Sequence, residues 1–95
     1  MLYITETIKA GGFKTRQYST EDKKNIISYL RSFEPCKFTS EPVIDVFSGE
    51  KISDADNGYS DGVYTWYESE IYYFEKYDLD INKSFIDYVC VKKQG

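Results

Sequence analysis

Apolar positions along this chain change period several times, and each change marks an element. The most organised stretch is Asp61–Tyr77, DGVYTWYESEIYYFEKY. It opens on an Asp-Gly turn, runs through Val63, Tyr64, Thr65 and Trp66 as a β-branched and aromatic strand, and switches at Glu68 to helical spacing. Tyr67, Ile71 and Phe74 fall at i, i+4 and i+7 as one apolar stripe, with Trp66, Tyr73 and Tyr77 beside it. Five of the ten tyrosines and the single Trp lie in this strand–helix segment. Since one aromatic side chain buries about 150–250 Å², the segment is expected to form core rather than a site.

Upstream, Met1–Ile8 alternates weakly, which fits a short strand or an extended arm, and Gly11-Gly12 breaks any regular element. Lys9, Lys14 and Arg16 around Phe13 and Tyr18 make a small basic and aromatic loop, expected to be solvated. Ser19-Thr20-Glu21-Asp22 supplies a capping hydroxyl and two first-turn carboxylates, so a helix is predicted from there to about Phe33. Ile26, Ile27, Leu30 and Phe33 form its inner stripe, and Pro35 ends it.

Val43–Phe47 (VIDVF) predicts a strand, Phe47–Glu50 a turn, and Lys51–Ser53 the returning strand of a hairpin. Asp54–Gly62 is turn-rich, with Asn57-Gly58 and Asp61-Gly62 as tight-turn dipeptides. Beyond Tyr77, Leu79 and Ile81 alternate with aspartates, and Asn82 caps a last helix that turns Phe85, Ile86, Val89 and Cys90 inward before Val91–Gly95 frays. The sum is a single domain over residues 1–95, of α+β class, with a small antiparallel three-stranded sheet and about three helices packed on it.

Composition adds two constraints. At 95 residues with 41% hydrophobic and 29% charged positions the chain is an ordinary globular domain, but its aromatic share of 18% is high. No apolar run reaches membrane-spanning length and Met1–Ile8 lacks the features of a secretory signal, so a cytoplasmic location is expected. Cys36 and Cys90, far apart in sequence, are expected to be reduced thiols. The net charge of −4 is unevenly spread: residues 41–70 hold eight carboxylates against Lys51, a balance of −7, while the rest balances at +3. So acidic a middle argues against nucleic acid as direct ligand and for a cationic partner; the plainer reading is a solubilising face.

Enzymatic chemistry finds little footing. There is no histidine to act as general base or to activate either cysteine. Gly11-Gly12 lacks the length and the following Lys-Ser/Thr of a phosphate loop. Asp54, Asp56, Gly58 and Ser60 mimic the start of a calcium loop, but the glycine stands one place early and Thr65 replaces the bidentate Glu. No cofactor, metal or catalytic residue is assigned.

The order Gly49-Glu50, Asp61-Gly62-x-Tyr64-x-Trp66, Tyr72-Tyr73-x-Glu75-Lys76-Tyr77-x-Leu79-x-Ile81 and Phe85-Ile86, spread over Val43–Val89, resembles small bacterial immunity proteins of polymorphic toxin systems. Within these it is most similar to contact-dependent growth inhibition immunity proteins, and Ile81-Asn82 stands where many of them carry Leu-Pro. The resemblance implies a non-enzymatic protein that forms a tight complex with a toxin domain, in many such systems a nuclease with a basic face. It transfers no contact residue, so charge must choose the surface: Asp45, Glu50, Asp54, Asp56, Asp61, Glu68 and Glu70, with Tyr59, Tyr64 or Tyr72 at its edge. The alternative is a small cytoplasmic adaptor that binds a regulatory protein without any toxin.

Overall fold

The computed structural model describes residues 2–5 and 14–94. In chain order the elements are β1 (Leu2–Tyr3), α1 (Thr20–Leu30), β2 (Val43–Ile44), β3 (Lys51–Ser53), β4 (Gly58–Ser60), β5 (Tyr64–Tyr67), α2 (Glu68–Tyr77) and α3 (Lys83–Gln94). The class is α+β, with three helices and a three-stranded sheet.

That sheet is not the predicted meander. Its order is β1-β5-β4, with β5 central, antiparallel to β4 and parallel to β1 through Leu2↔Tyr64 and Tyr3↔Thr65. The hairpin β2–β3 stands apart as a second, two-stranded sheet. The exchange has a local cause at Gly58, expected in a tight turn but found buried in β4. There the Lys37 strand crosses it: Gly58 N–H donates to Lys37 O at 2.7 Å and Gly58 O accepts from Cys36 N at 2.8 Å. A Cβ at this position would lie 3.1 Å from Lys37 Cβ and 3.2 Å from Tyr67 Cε1, a tight approach that would press on both side chains. The true turn is Asp61-Gly62, with Gly62 at φ +98° and Asp61 Oδ1 accepting from the amides of Val63 and Tyr64.

β5 fills the interior. Trp66 is fully buried, donates from its indole to Leu30 O at 3.2 Å, and so satisfies a carbonyl at the end of α1. Phe33 meets it edge-on at 5.6 Å, and Phe85 from α3 lies 6.1 Å from it and 4.8 Å from Tyr64. Ile26, Leu30, Ile71, Phe74, Leu79, Ile81, Phe85 and Val89 are all essentially inaccessible. Of the predicted α2 stripe, Ile71 and Phe74 are core, joined by Tyr73; Tyr67 ends β5 and is only half-buried.

Ser19 caps α1 through Asp22 N, while α1 stops at Leu30, short of Phe33. Asp78 closes α2 in the left-handed region at φ 58°, its N–H on Phe74 O and Leu79 N on Tyr73 O. The segment after it is a zipper. Arg16 N donates to Asp78 O, Asp80 N to Lys14 O, and Asn82 N to Ile4 O, while the Tyr18 hydroxyl donates to Leu79 O and accepts from Ile81 N. Lys14–Tyr18 is therefore a structural strap, with Arg16 paired to Asp80 at 2.7 Å, rather than a free basic loop; Lys9 and Phe13 lie outside the described residues. α3 continues to Gln94 beyond the expected fraying point at Val91. Cys36 and Cys90 are free thiols, the latter half-buried rather than core. Among the described residues no helix is long and apolar enough to cross a membrane.

Phe85 touches β5, α1 and α3 rings at once, so Phe85→Ala should cost about 3–5 kcal/mol. Urea unfolding checks this; a loss under about 1 kcal/mol would mean that the aromatic centre is not tightly packed.

Candidate functional site

The seven carboxylates expected to form one acidic face divide among several places. Asp45 is fully buried. Its Oδ2 accepts from the hydroxyls of Tyr72 at 2.5 Å and Tyr77 at 2.7 Å, and its Oδ1 from the amides of Phe47 and Ser48 at 2.8 and 3.1 Å. Lys76 Nζ stands 4.0 Å away. Burial pushes this carboxyl up, but the two phenols and two amides outweigh it and hold it well below the usual carboxylate range. Asp45 is thus a structural anion, and its expected role as a partner contact is corrected: no face of it reaches the surface.

Glu70 is corrected for the same reason. It is 8% exposed and accepts from the Tyr67 amide at 2.9 Å, capping the start of α2. Tyr64 is buried as well, which removes it from the edge of any surface, and Tyr72 is half-buried on Asp45.

Asp61 and Glu68 repeat the phenol arrangement. Asp61 Oδ2 accepts from Tyr29 on α1 at 2.5 Å and from Tyr88 on α3 at 2.9 Å. Burial raises Asp61, and the Tyr29 hydroxyl with the Tyr64 and Val63 amides brings it below its ordinary value. Tyr59 donates to Glu68 Oε2 at 2.5 Å, and Arg31 Nη1 lies 3.8 Å from Oε1. Asp56 holds α2 by accepting from Ser69 N and Ser69 Oγ, each at 2.9 Å.

Glu50, in the turn between β2 and β3, and Asp54, just after β3, are exposed, with Lys51 paired to Asp54. Glu41 is exposed too and borders a cleft of about 360 Å³ whose other walls include Lys37, Thr39, Asp56, Tyr67 and Ser69. Lys37 Nζ reaches the Tyr67 hydroxyl at 3.2 Å, and this contact raises the ammonium pKa. Asp45, Asp54 and Asp61 are all shifted downward, the direction of permanent anions and opposite to that of a general acid. Among the described residues no group of three or more acids or cysteines is placed to hold a metal ion.

The sequence reading missed the apolar part of this surface. Ile44, Val46 and Phe47 are 43%, 74% and 55% exposed, although VIDVF reads as one continuous strand. β2 ends at Ile44, and Asp45 draws the following residues into a turn. The available signal was the lone Asp in an apolar run followed by Ser48-Gly49, with Gly49 at φ +77°. No family model, curated protein or solved structure matches the chain.

Two pH effects follow. Asp45 is depressed in the folded state, so its stabilisation is complete above the unfolded carboxylate value of about 3.9 and is lost as pH falls toward the folded one. Tyr72→Phe/Tyr77→Phe removes the two phenol donors, raises that folded value, and should move the acid unfolding midpoint to higher pH by circular dichroism. An unchanged midpoint would show that the two hydroxyls do not hold the charge. At alkaline pH the reverse sign applies. The Asp45 hydrogen bond pushes Tyr72 and Tyr77 up to about 12, burial and Glu68 do the same to Tyr59, and burial and Asp61 raise Tyr29 further. Phenolate absorbance should show these four still protonated at about pH 11, where a free tyrosine has ionised.

Proposed function

We propose that this chain is an immunity protein that binds and neutralises a cationic toxin domain, a nuclease being the best fit to the charge. One observation carries the reading: most of the acidic middle is held by neutral donors. Asp45, Asp61 and Glu68 accept from tyrosine hydroxyls, and Asp56 from Ser69. A phenol satisfies a carboxylate without cancelling its charge, whereas a lysine would do both. Among the described residues the close cations are few, Lys51 on Asp54, Lys76 at 4.0 Å from Asp45 and Arg31 at 3.8 Å from Glu68. Residues 41–70 therefore project a negative field even where individual carboxylates are inside.

In this reading the interior anions steer, and Glu41, Glu50 and Asp54 touch the partner. Inhibition is by occlusion of the basic face with which the toxin would meet its phosphate-bearing substrate. The family resemblance along Val43–Val89 supports the same role.

The test pairs this chain with a candidate toxin domain, taken from the product of the gene beside its own. Glu41→Lys/Glu50→Lys/Asp54→Lys should slow association by about tenfold or more at low ionic strength, with the difference shrinking near 1 M salt. If wild-type protein neither binds that domain nor protects cells producing it, the immunity reading fails. An adaptor role would then be favoured by a stable complex with a host regulatory protein.

A further inference from the structure

Residues 37–41 run beside β4 as an extended segment on the open edge of the three-stranded sheet. Lys37 bridges Gly58 antiparallel, with Lys37 N donating to Gly58 O at 3.2 Å and Gly58 N to Lys37 O at 2.7 Å. The strand alternation carries on past the bridge: Lys37, Thr39 and Glu41 line the cleft, Phe38 and Ser40 do not, and Phe38 is 74% exposed. Thr39 is held in by its hydroxyl, which donates to Asp56 O and accepts from Asp56 N, each at 3.2 Å. In an extended chain whose Lys37 amide and carbonyl face β4, those of Phe38 and Ser40 face the other way. Among the described residues they meet no hydrogen-bond partner.

Free amides and carbonyls at a sheet edge pair with another strand unless charge or proline blocks them. Here Pro42 closes one end, and Lys37 and Glu41 set a charge of each sign at the two ends of the segment, on one face. Against an arbitrary strand those charges oppose pairing. Against the same segment, turned about a two-fold axis at Thr39, they attract. We propose that residues 37–41 are a self-association edge, on which a second copy of this chain pairs antiparallel in the register Lys37↔Glu41, Phe38↔Ser40 and Thr39↔Thr39. Backbone and charge agree on this register. Phe38 and Ser40, whose backbone groups are free, become the hydrogen-bonded pairs, while Lys37 with Glu41 and Thr39 with its own copy fall where side chains stand closest. The contact is isologous, so the Lys37–Glu41 pair forms twice and each exposed Phe38 ring covers the second copy's Ser40. Lys37 Nζ meets the Tyr67 hydroxyl at 3.2 Å and keeps further donors for a carboxylate. A contact this short lies far below the area of a permanent interface, so the dimer is weak and exchanging, with Kd about 0.1–1 mM. The pairing does not depend on the toxin reading, and since Glu41 serves both contacts, a bound toxin displaces the second copy.

The test uses the purified full chain alone, followed by sedimentation equilibrium from about 10 μM to about 2 mM in about 0.15 M salt, where long-range repulsion between the two acidic chains is screened. Wild type should pass from monomer to a largely dimeric state across this range. Lys37→Glu and Glu41→Lys should each weaken association by about tenfold or more, because each sets like charges opposite one another twice. Mixing these two single variants should restore it as a heterodimer, and so should Lys37→Glu/Glu41→Lys in one chain. Ser40→Pro removes an outward amide that bonds nothing in the single chain, so it should abolish the dimer with the thermal unfolding midpoint kept. A wild type that stays monomeric throughout overturns the proposal. So does a dimer that Lys37→Glu and Ser40→Pro leave intact, or one that the charge variants abolish and their mixture fails to recover.

Discussion

A carboxylate taken out of water must be met by donors, and in this chain the donors are largely phenols. Asp45 is met by Tyr72 and Tyr77, Asp61 by Tyr29 and Tyr88, and Glu68 by Tyr59. Each pairing ties together parts that would otherwise be joined only by packing. Asp45 fastens the β2–β3 hairpin to α2, and Asp61 joins the β4–β5 turn to α1 and α3. Hydrogen bonds from hydroxyl to carboxylate are charge-assisted and short, so they are stronger than neutral ones. They also leave the negative charge in place.

The tyrosines can do this because each has two chemically different ends. Tyr29 is a core ring packed against Phe33, Phe85 and Trp66, and its hydroxyl still reaches Asp61. Tyr73 is buried among the α2 rings while its hydroxyl closes the backbone at Ile44 and Val46. The aromatic core and the acidic rim are thus two ends of the same side chains. Removing an interior carboxylate changes charge, geometry and packing together, whereas Glu41, Glu50 and Asp54 are exposed and bear less on the fold than Asp45 or Asp61.

The hairpin shows how a buried carboxylate and an exposed apolar turn depend on one another. Its two short strands make a weak sheet by themselves, and two-stranded ribbons are marginal in water. What holds it is its turn, where Asp45 is clamped from α2 and the backbone of Ile44–Glu50 is closed by its own hydrogen bonds and the Tyr73 hydroxyl. That arrangement leaves the Val46 side chain largely exposed, with the Phe47 ring leaning on Tyr77.

The local pattern alone determined the α+β class, the capped start of α1, the switch from β5 to α2 at Glu68, and the buried set of Trp66, Ile71, Phe74, Leu79, Ile81, Phe85 and Val89. These follow from nearest-neighbour physics: propensity, capping and the period of apolar positions act within a few residues. Tertiary structure decided the rest. Gly58 became a strand because Lys37 crosses it, β1 paired in parallel with β5, and Lys14–Tyr18 became a strap on Asp78–Ile81. Most of all, it decided which carboxylates point out. Net charge is a sum over the sequence, but the exposure of each acid depends on whether a distant tyrosine can reach it, and that reach exists only once the helices have closed on the sheet.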